Sequence, residues 1–177
     1  DKVYKSILDS KDEDMLDSMR GAMANLTLNI QLIFAAVNRR KADINLYKYE
    51  LEDMRRAYVE NYYNSIDTLI RQLSVKNNAA WKETRYYKII TSCKIISADE
   101  FDTIYPIDGS YLFYFRTVPL QKEALDERFS SYFVKADDNE NILAMLKLAL
   151  AKKIVAKALM RFDILEFPAT IRNLFAE

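Results

Sequence analysis

Acidic side chains are the residues of this 177-residue sequence that could do acid–base or metal chemistry, because the chain contains no histidine. A hard cation such as Ca²⁺ needs about six oxygen ligands from a shaped loop. None of the acidic clusters has the glycine-bearing pattern of a calcium loop. Each lies at a predicted helix start, where carboxylates cap N–H groups and suit the helix dipole. We therefore expect capping at all of them: Asp12-Glu13-Asp14, Asp99-Glu100 with Asp102, and Asp137-Asp138 with Glu140.

Composition excludes the other common catalytic arrangements. Without histidine there is no Ser-His-Asp, Cys-His or His-metal site. Cys93 is the single cysteine, so it has no disulfide partner within the chain, and we expect it to be a small buried hydrophobe. The two glycines, Gly21 and Gly109, cannot build a phosphate loop. We predict a non-enzyme with no catalytic, cofactor or metal site. A carboxylate-only metal enzyme, with acids converging from two or more helices, is the competing hypothesis.

A basic stripe is the first candidate binding feature. Lys153, Lys157 and Arg161 step by four, which places them on one helix face. Such a stripe could contact phosphate or an acidic partner. The alternative is a solvated face whose lysine stems cover apolar surface. The 26 basic and 26 acidic residues cancel, which argues against general nucleic-acid or membrane-surface binding.

Tyrosine is the second candidate, since the chain has 12 tyrosines and they crowd the second predicted helix. Tyrosine is favoured at interfaces, where its apolar ring and its polar hydroxyl both find partners. Tyr58 and Tyr62 lie on the apolar stripe of that helix, and we assign them to the core. Tyr47, Tyr49 and Tyr63 lie off the stripe, and for them interface and core both stay open.

The elements that must position these residues begin with two long helices. Ser10 to Glu13 has capping-box form and predicts the start of the first, which runs to about Asn38. The second opens near Asp43 and stops at 76–78. The short connection predicts an antiparallel α-hairpin. Apolar residues step by three and four along both helices: Leu16, Met19, Met23, Leu26, Ile30, Ile33 and Val37, then Leu51, Met54, Tyr58, Tyr62, Ile66, Leu69 and Leu73.

The middle of the chain is ambiguous between helix and strand at 83–96 and 111–117, where aromatic and β-branched residues are dense. Between them, Ser97 to Glu100 repeats the capping-box form and predicts a short helix to about Ile104. Asp108-Gly109-Ser110 predicts a turn. Pro119 suits the first turn of another helix.

A strongly apolar helix is predicted from Glu140 to Arg161, with Asp137 or Asp138 available as its cap. Apolar residues on much of its circumference indicate a central, largely buried helix. The predicted fold is therefore mainly α: a helical bundle on a long antiparallel α-hairpin with a buried C-terminal helix, a small β element near 83–117 being the alternative. We assign 1–10 to an N-terminal arm and 11–177 to one helical domain. No stretch has the apolar length of a membrane span.

Motifs in the middle and C-terminal parts resemble a known family. They are Trp81-Lys82-Glu83-Thr84, Ser97-Ala98-Asp99-Glu100-Phe101, Tyr105-Pro106-Ile107-Asp108-Gly109-Ser110 with Phe113, and an Ala- and Leu-rich helix near the end. In order and spacing these resemble a family of uncharacterised proteins from Bacteroides phages and prophages, including crAss-like phages. The resemblance covers about residues 15–175 and brings no catalytic residues with it.

The resemblance implies a structural virion protein, a subunit of the head-to-tail connector below the portal. Its implied partners are further copies in a twelvefold ring, the portal, and neighbouring connector or tail proteins. Its location would be the phage neck, after assembly in the bacterial cytoplasm. The stripe Lys153, Lys157 and Arg161 would then face DNA in a central channel or an acidic neighbouring ring. A helical protein-interaction module of a bacterial host is the alternative function.

Overall fold

The computed structural model describes residues 2–38, 48–136 and 139–175, and these ranges are helical with turns and short loops. They contain no strand: 111–117 is helical, whereas 83–96 is helical only at 85–90 and forms turns and loop elsewhere. The prediction of a mainly α fold is confirmed. Contacts separate the chain into two compact units, Asp1–Lys76 and Asn77–Glu177. The predicted division into an arm and one helical domain stays a prediction.

The first unit consists of α1 (Lys2–Ser10), α2 (Glu13–Asn38) and α3 (Lys48–Val75). The segment predicted as an arm is thus helical, and its Ile7 is buried. α2 and α3 form the predicted antiparallel hairpin, because early residues of α2 meet late residues of α3. Ser18 near the start of α2 donates a 3.2 Å hydrogen bond to Gln72 near the end of α3.

The start of α2 differs from the prediction by two residues. Ser10 is the last residue of α1, and its hydroxyl donates to the Ile7 carbonyl at 2.7 Å. Asp12 is the cap, since its Oδ1 accepts from the Met15 N–H at 3.1 Å. Lys11 has a positive φ of 51° between the two helices. The left-handed conformation of Lys11 therefore separates Ser10 from α2, and the next residue with a capping side chain takes its place.

The second unit is built around two long helical segments. Its elements are α4 (Ala79–Lys82), α5 (Arg85–Ile90), α6 (Ala98–Ile104), α7 (Tyr111–Ala124), a π-helical turn (Leu125–Phe129), α8 (Ser130–Lys135), α9 (Glu140–Leu159), a 3-10 turn (Ile164–Glu166), α10 (Ala169–Arg172) and a last 3-10 turn (Asn173–Phe175). α7 and α9 pack against each other at its centre. Leu150 and Ile154 of α9 and Phe113 of α7 are completely buried there.

Of two predicted helix starts in this unit, the one at Ser97 is confirmed and the one at Pro119 is wrong. Ser97 caps α6 by accepting from the Glu100 N–H at 3.0 Å, while Glu100 accepts from the Ile96 N–H at 2.8 Å. Pro119, in contrast, lies inside α7 and begins no new helix. An interior proline removes one helical hydrogen bond, a cost of roughly 3 kcal/mol. Burial of Val118 and Leu120 beside it offsets that cost.

A buried glutamine fixes the loop between α5 and α6. Gln121 is 1% exposed. Its Oε1 accepts from the N–H groups of Lys94 and Ile95 at 3.0 and 2.8 Å, and its Nε2 donates to the Ile95 carbonyl at 3.0 Å. The Tyr114 hydroxyl donates to the same carbonyl at 3.1 Å. Side chains of α7 thus satisfy loop groups that burial would otherwise leave unpaired.

α9 is buried along its C-terminal half only. Leu150, Ala151 and Ile154 have no exposure, as the predicted central helix requires. In the N-terminal half, Met145 is 72% exposed. Asn139 caps this helix, accepting from the Ile142 N–H at 3.2 Å, in the role that we predicted for Asp137 or Asp138. The two aspartates lie outside the described residues.

Candidate interaction surface

An apolar stripe on α2 is exposed along the outer part of the hairpin. Met23, Leu26, Ile30 and Ile33, which we call the α2 stripe, are 56%, 41%, 43% and 40% exposed. Phe34 beside them is 64% exposed. The sequence placed these positions on the apolar stripe of the first predicted helix. This stripe is buried only in the first turns of α2, where Leu16 lies.

The reason for this exposure is that α2 packs on α3 through a different face, made of small and polar residues. A Cβ added to Gly21 would lie 3.1 Å from Ser65 Oγ, so the missing side chain permits close approach of the helices. Ala22 is buried. The Asn25 amide donates to the Gly21 carbonyl at 2.8 Å. The centre of this face lies roughly a quarter to a third of a turn from the centre of the α2 stripe, with Ala22 at the edge between them, since successive residues are about 100° apart.

The groove between the two helices is polar. Its lining residues are Asp17, Ser18, Asn25, Asn61, Asn64, Ser65 and Thr68. Ser65 and Thr68 turn their hydroxyls back to carbonyls of α3, at 2.8 Å to Asn61 and 3.0 Å to Asn64. The polar groove and the α2 stripe give the hairpin two surfaces of opposite character.

The predicted interface tyrosines are not part of the α2 stripe. Tyr49 lies in the first turn of α3 and is 61% exposed. Tyr63 is half-buried, and its ring centroid lies 5.2 Å from that of Tyr62. Tyr47 lies outside the described residues. Their role as interface residues stays a prediction.

Two members of the predicted basic stripe are paired with acids of the same unit. Arg161 donates two hydrogen bonds to the Glu123 carboxylate, at 2.6 and 2.8 Å. Lys157 bonds Glu123 at 2.7 Å and Glu127 at 2.6 Å. Lys157 is only 5% exposed, although lysine is rarely buried without a partner. We call these four residues the charge cluster, and its formal charges cancel.

Both acids of the charge cluster lie on the side that faces α9. Glu123 lies in α7 and Glu127 in the π turn that follows. They are four residues apart, and residues at that spacing are neighbours on a helix surface. The bonds from Arg161, and next from Lys157, lower the pKa of Glu123 from 4.5 to about 2. The acceptors Glu123 and Glu127 raise the pKa of Lys157. Glu123, Lys157 and Arg161 are therefore charged at neutral pH.

The third member of the stripe, Lys153, is exposed to solvent. Lys147, one turn and a half earlier on α9, bonds Glu100 of α6 at 2.5 Å. Pairing within the chain thus takes up much of the positive charge that the sequence concentrates between 141 and 161. The sequence carries no local signal for this pairing, because the partners lie 30 to 47 residues away.

The remaining residues that the sequence offered as candidates for chemistry are buried or make hydrogen bonds that support the fold. Cys93 is buried, and burial raises the pKa of its thiol to about 11. Asp12 caps α2 and pairs with Lys76, and the Asp102 carboxylate accepts from the Ile107 and Gly109 N–H groups at 2.7 and 3.1 Å. Within the described ranges, no group of three or more acidic or cysteine side chains is placed to hold a metal ion. None of the helices described there has the length and apolarity needed to cross a membrane.

The chain was compared with known protein families, curated proteins and solved structures. No significant match was found in any of the three comparisons.

Proposed function

We propose that this protein is a non-enzymatic structural subunit that assembles with other proteins through the α2 stripe. The exposed stripe is the observation that carries the proposal. Met23, Leu26, Ile30, Ile33 and Phe34 lie on one side of α2 over about three turns. Exposed apolar patches of this kind mark interaction surfaces, because removing apolar area from water is favourable.

The assembly that we propose is the head-to-tail connector of a phage, and the resemblance supports that choice. Three of its motif residues have structural roles in the second unit: Trp81 is buried, with its ring centroid 4.9 Å from that of Phe115. Ser97 caps α6, and Phe113 is completely buried. Residues of this kind preserve a fold, so a shared pattern at these positions favours a shared scaffold.

The proposal places protein contact on α2 and gives DNA a lesser part. Glu123 and Glu127 already neutralise Lys157 and Arg161. Lys153 is then the member of the predicted basic stripe best placed to meet DNA or an acidic neighbouring ring. The homo-oligomeric ring and its twelvefold symmetry are part of the proposal by resemblance.

The test is quantitative mass spectrometry of purified particles from the phage or induced prophage that encodes the chain. A connector subunit is expected at a copy number comparable to that of the portal protein in the same particles. Absence from purified particles, with the portal present, would overturn the connector assignment. If the chain then remained in the host cell bound to host proteins, the host interaction module would replace it.

A further inference from the structure

The α2 stripe repeats with the period of a coiled coil. Together with Leu16, Met19 and Val37, its residues follow alternating steps of three and four over three heptads. A mean spacing of 3.5 residues keeps one seam facing a partner helix along its whole length. In α3, by contrast, Tyr58, Tyr62 and Ile66 follow two successive steps of four, which breaks the repeat.

From Met23 onward the seam is available because α3 occupies another face of α2, whereas Leu16 at its start is buried within the chain. Ala22 is buried, and Gly21 lies against Ser65 of α3. Met23, Leu26 and Ile30 remain about half exposed. α2 therefore carries two helix-packing faces, of which the described residues cover one.

Charge identifies the partner of the second face. No charged residue occurs from Gly21 to Asn38. In most coiled coils, charged residues flank the seam and select the partner. Here the flanking residues are uncharged, as Thr27, Asn29 and Phe34 are. A charged partner helix would lose hydration of its charges without gaining an ion pair.

A second α2 has the required chemistry. It has the same length, the same 3–4 spacing and the same lack of charge, so two such faces are complementary to each other. The long helices α3 and α9 do not match, since both carry charged residues along their length. We propose that the α2 stripe packs against the α2 stripe of a second copy of this chain. This inference rests on the proposed function in that it names the partner of the assembly surface.

The available area fits a modest dimer. The four residues of the α2 stripe together with Phe34 present on the order of 500 Å² of apolar surface per copy. Pairing two copies would bury about 1,000 Å², which is the lower limit for a specific interface. We therefore expect concentration-dependent association, and other contacts would stabilise a larger assembly.

Cysteine cross-linking of the full chain tests the pairing. Leu26→Cys places a thiol on the seam, and Leu28→Cys places one on the opposite side of α2 at nearly the same exposure, 41% against 40%. Cys93 stays in place as an internal background, measured in the wild-type chain. Under mild oxidation, we expect Leu26→Cys to form at least 10-fold more disulfide-linked dimer than Leu28→Cys if the helices are parallel. Antiparallel helices would instead link Leu26→Cys chains to Ile30→Cys chains.

Equal cross-linking of Leu26→Cys, Ile30→Cys and Leu28→Cys, or none above background, would overturn the inference. A parallel assay separates a bilayer from a second copy: flotation of the chain with phosphatidylcholine–phosphatidylglycerol vesicles. Flotation that Ile30→Lys abolishes, with no seam cross-linking, would also overturn it. The outcome is independent of the particle analysis. Seam cross-linking by a chain that is absent from particles leaves this pairing standing and removes the connector. Presence in particles without seam cross-linking would leave the connector assignment standing and overturn the pairing.

Discussion

The guanidinium of Arg161 holds the carboxylate of Glu123 with two hydrogen bonds of 2.6 and 2.8 Å, from one helix of the second unit to another. Lys157 bonds the same carboxylate at 2.7 Å. The sequence places these two cations on an exposed-looking basic stripe, whereas the fold uses them to join α9 to α7.

The free energy of unfolding should fall at acid pH because the Glu123 carboxylate becomes protonated. Its pKa is lowered from 4.5 to about 2 in the folded chain by Arg161 and Lys157. A lowered folded pKa gives stabilisation that is complete above pH 4.5 and is lost as the pH falls from 4.5 to about 2. We expect the difference in unfolding free energy between wild type and Glu123→Gln to shrink over that range. Urea denaturation at a series of pH values measures it. A difference that is constant with pH would contradict the assignment.

The two lysines of the predicted stripe should respond differently to the same substitution. Lys157→Met removes the buried ammonium that bridges Glu123 and Glu127, and leaves Glu127 without this partner. Lys153→Met changes an exposed side chain and is the matched control on the same helix. We expect thermal unfolding to begin at a clearly lower temperature for Lys157→Met than for Lys153→Met. Equal midpoints would show that the charge cluster contributes nothing to stability.

Gly21→Ala should fail to stabilise the chain only while the Ser65 side chain faces Gly21. An added Cβ would meet Ser65 Oγ at 3.1 Å, which is a tight contact. Alanine in place of a mid-helix glycine otherwise gains about 0.5–1 kcal/mol. We expect Gly21→Ala to realise that gain in a Ser65→Ala background and to lose most of it in the wild-type background. A double-mutant cycle by chemical denaturation measures the coupling. Additive effects would mean that the helices are farther apart at this point.

Substitution of Gln121 should lower the stability of the chain more than substitution of any other polar residue of the second unit. Gln121→Met leaves the buried Ile95 N–H without its acceptor, at about 1–3 kcal/mol, and also removes the acceptor of the part-buried Lys94 N–H. Tyr114→Phe removes one of two donors to the Ile95 carbonyl, so we expect a loss of about 1 kcal/mol. Equilibrium unfolding of the two variants gives the ranking. A Gln121→Met variant as stable as Tyr114→Phe would contradict the described hydrogen bonds.

Local signals in the sequence predict the elements well where periodicity and caps agree. The long hairpin and the α6 start at Ser97 follow from apolar spacing and a capping box, both of which act within a few residues. The start of another helix at Pro119 was predicted wrongly because core packing outweighs a local breaker. Gln121 had no signal, since its partners lie 26 and 27 residues away.

The exposure of the α2 stripe was not predicted, for a different reason. Apolar spacing on α2 defines one face of the helix, but it does not say which neighbour covers that face. The hairpin packs through Gly21 and Ala22, whose small size permits close approach, and this choice leaves the α2 stripe exposed. The absence of charge from Gly21 to Asn38 is the sequence feature that could have indicated the contact surface that we propose.

The central claim is that this chain assembles through the α2 stripe, and its mass in solution tests that claim most directly. Sedimentation equilibrium would be measured for wild type, Ile30→Lys and Leu28→Lys over a concentration series. These variants add the same charge to the same helix at similar exposure, 43% and 40%. We expect wild type and Leu28→Lys to associate, and Ile30→Lys to weaken association by roughly 30-fold or more, as substitution at the centre of an interface does. A wild-type chain that stays monomeric throughout, or an Ile30→Lys chain that associates like Leu28→Lys, would contradict the claim.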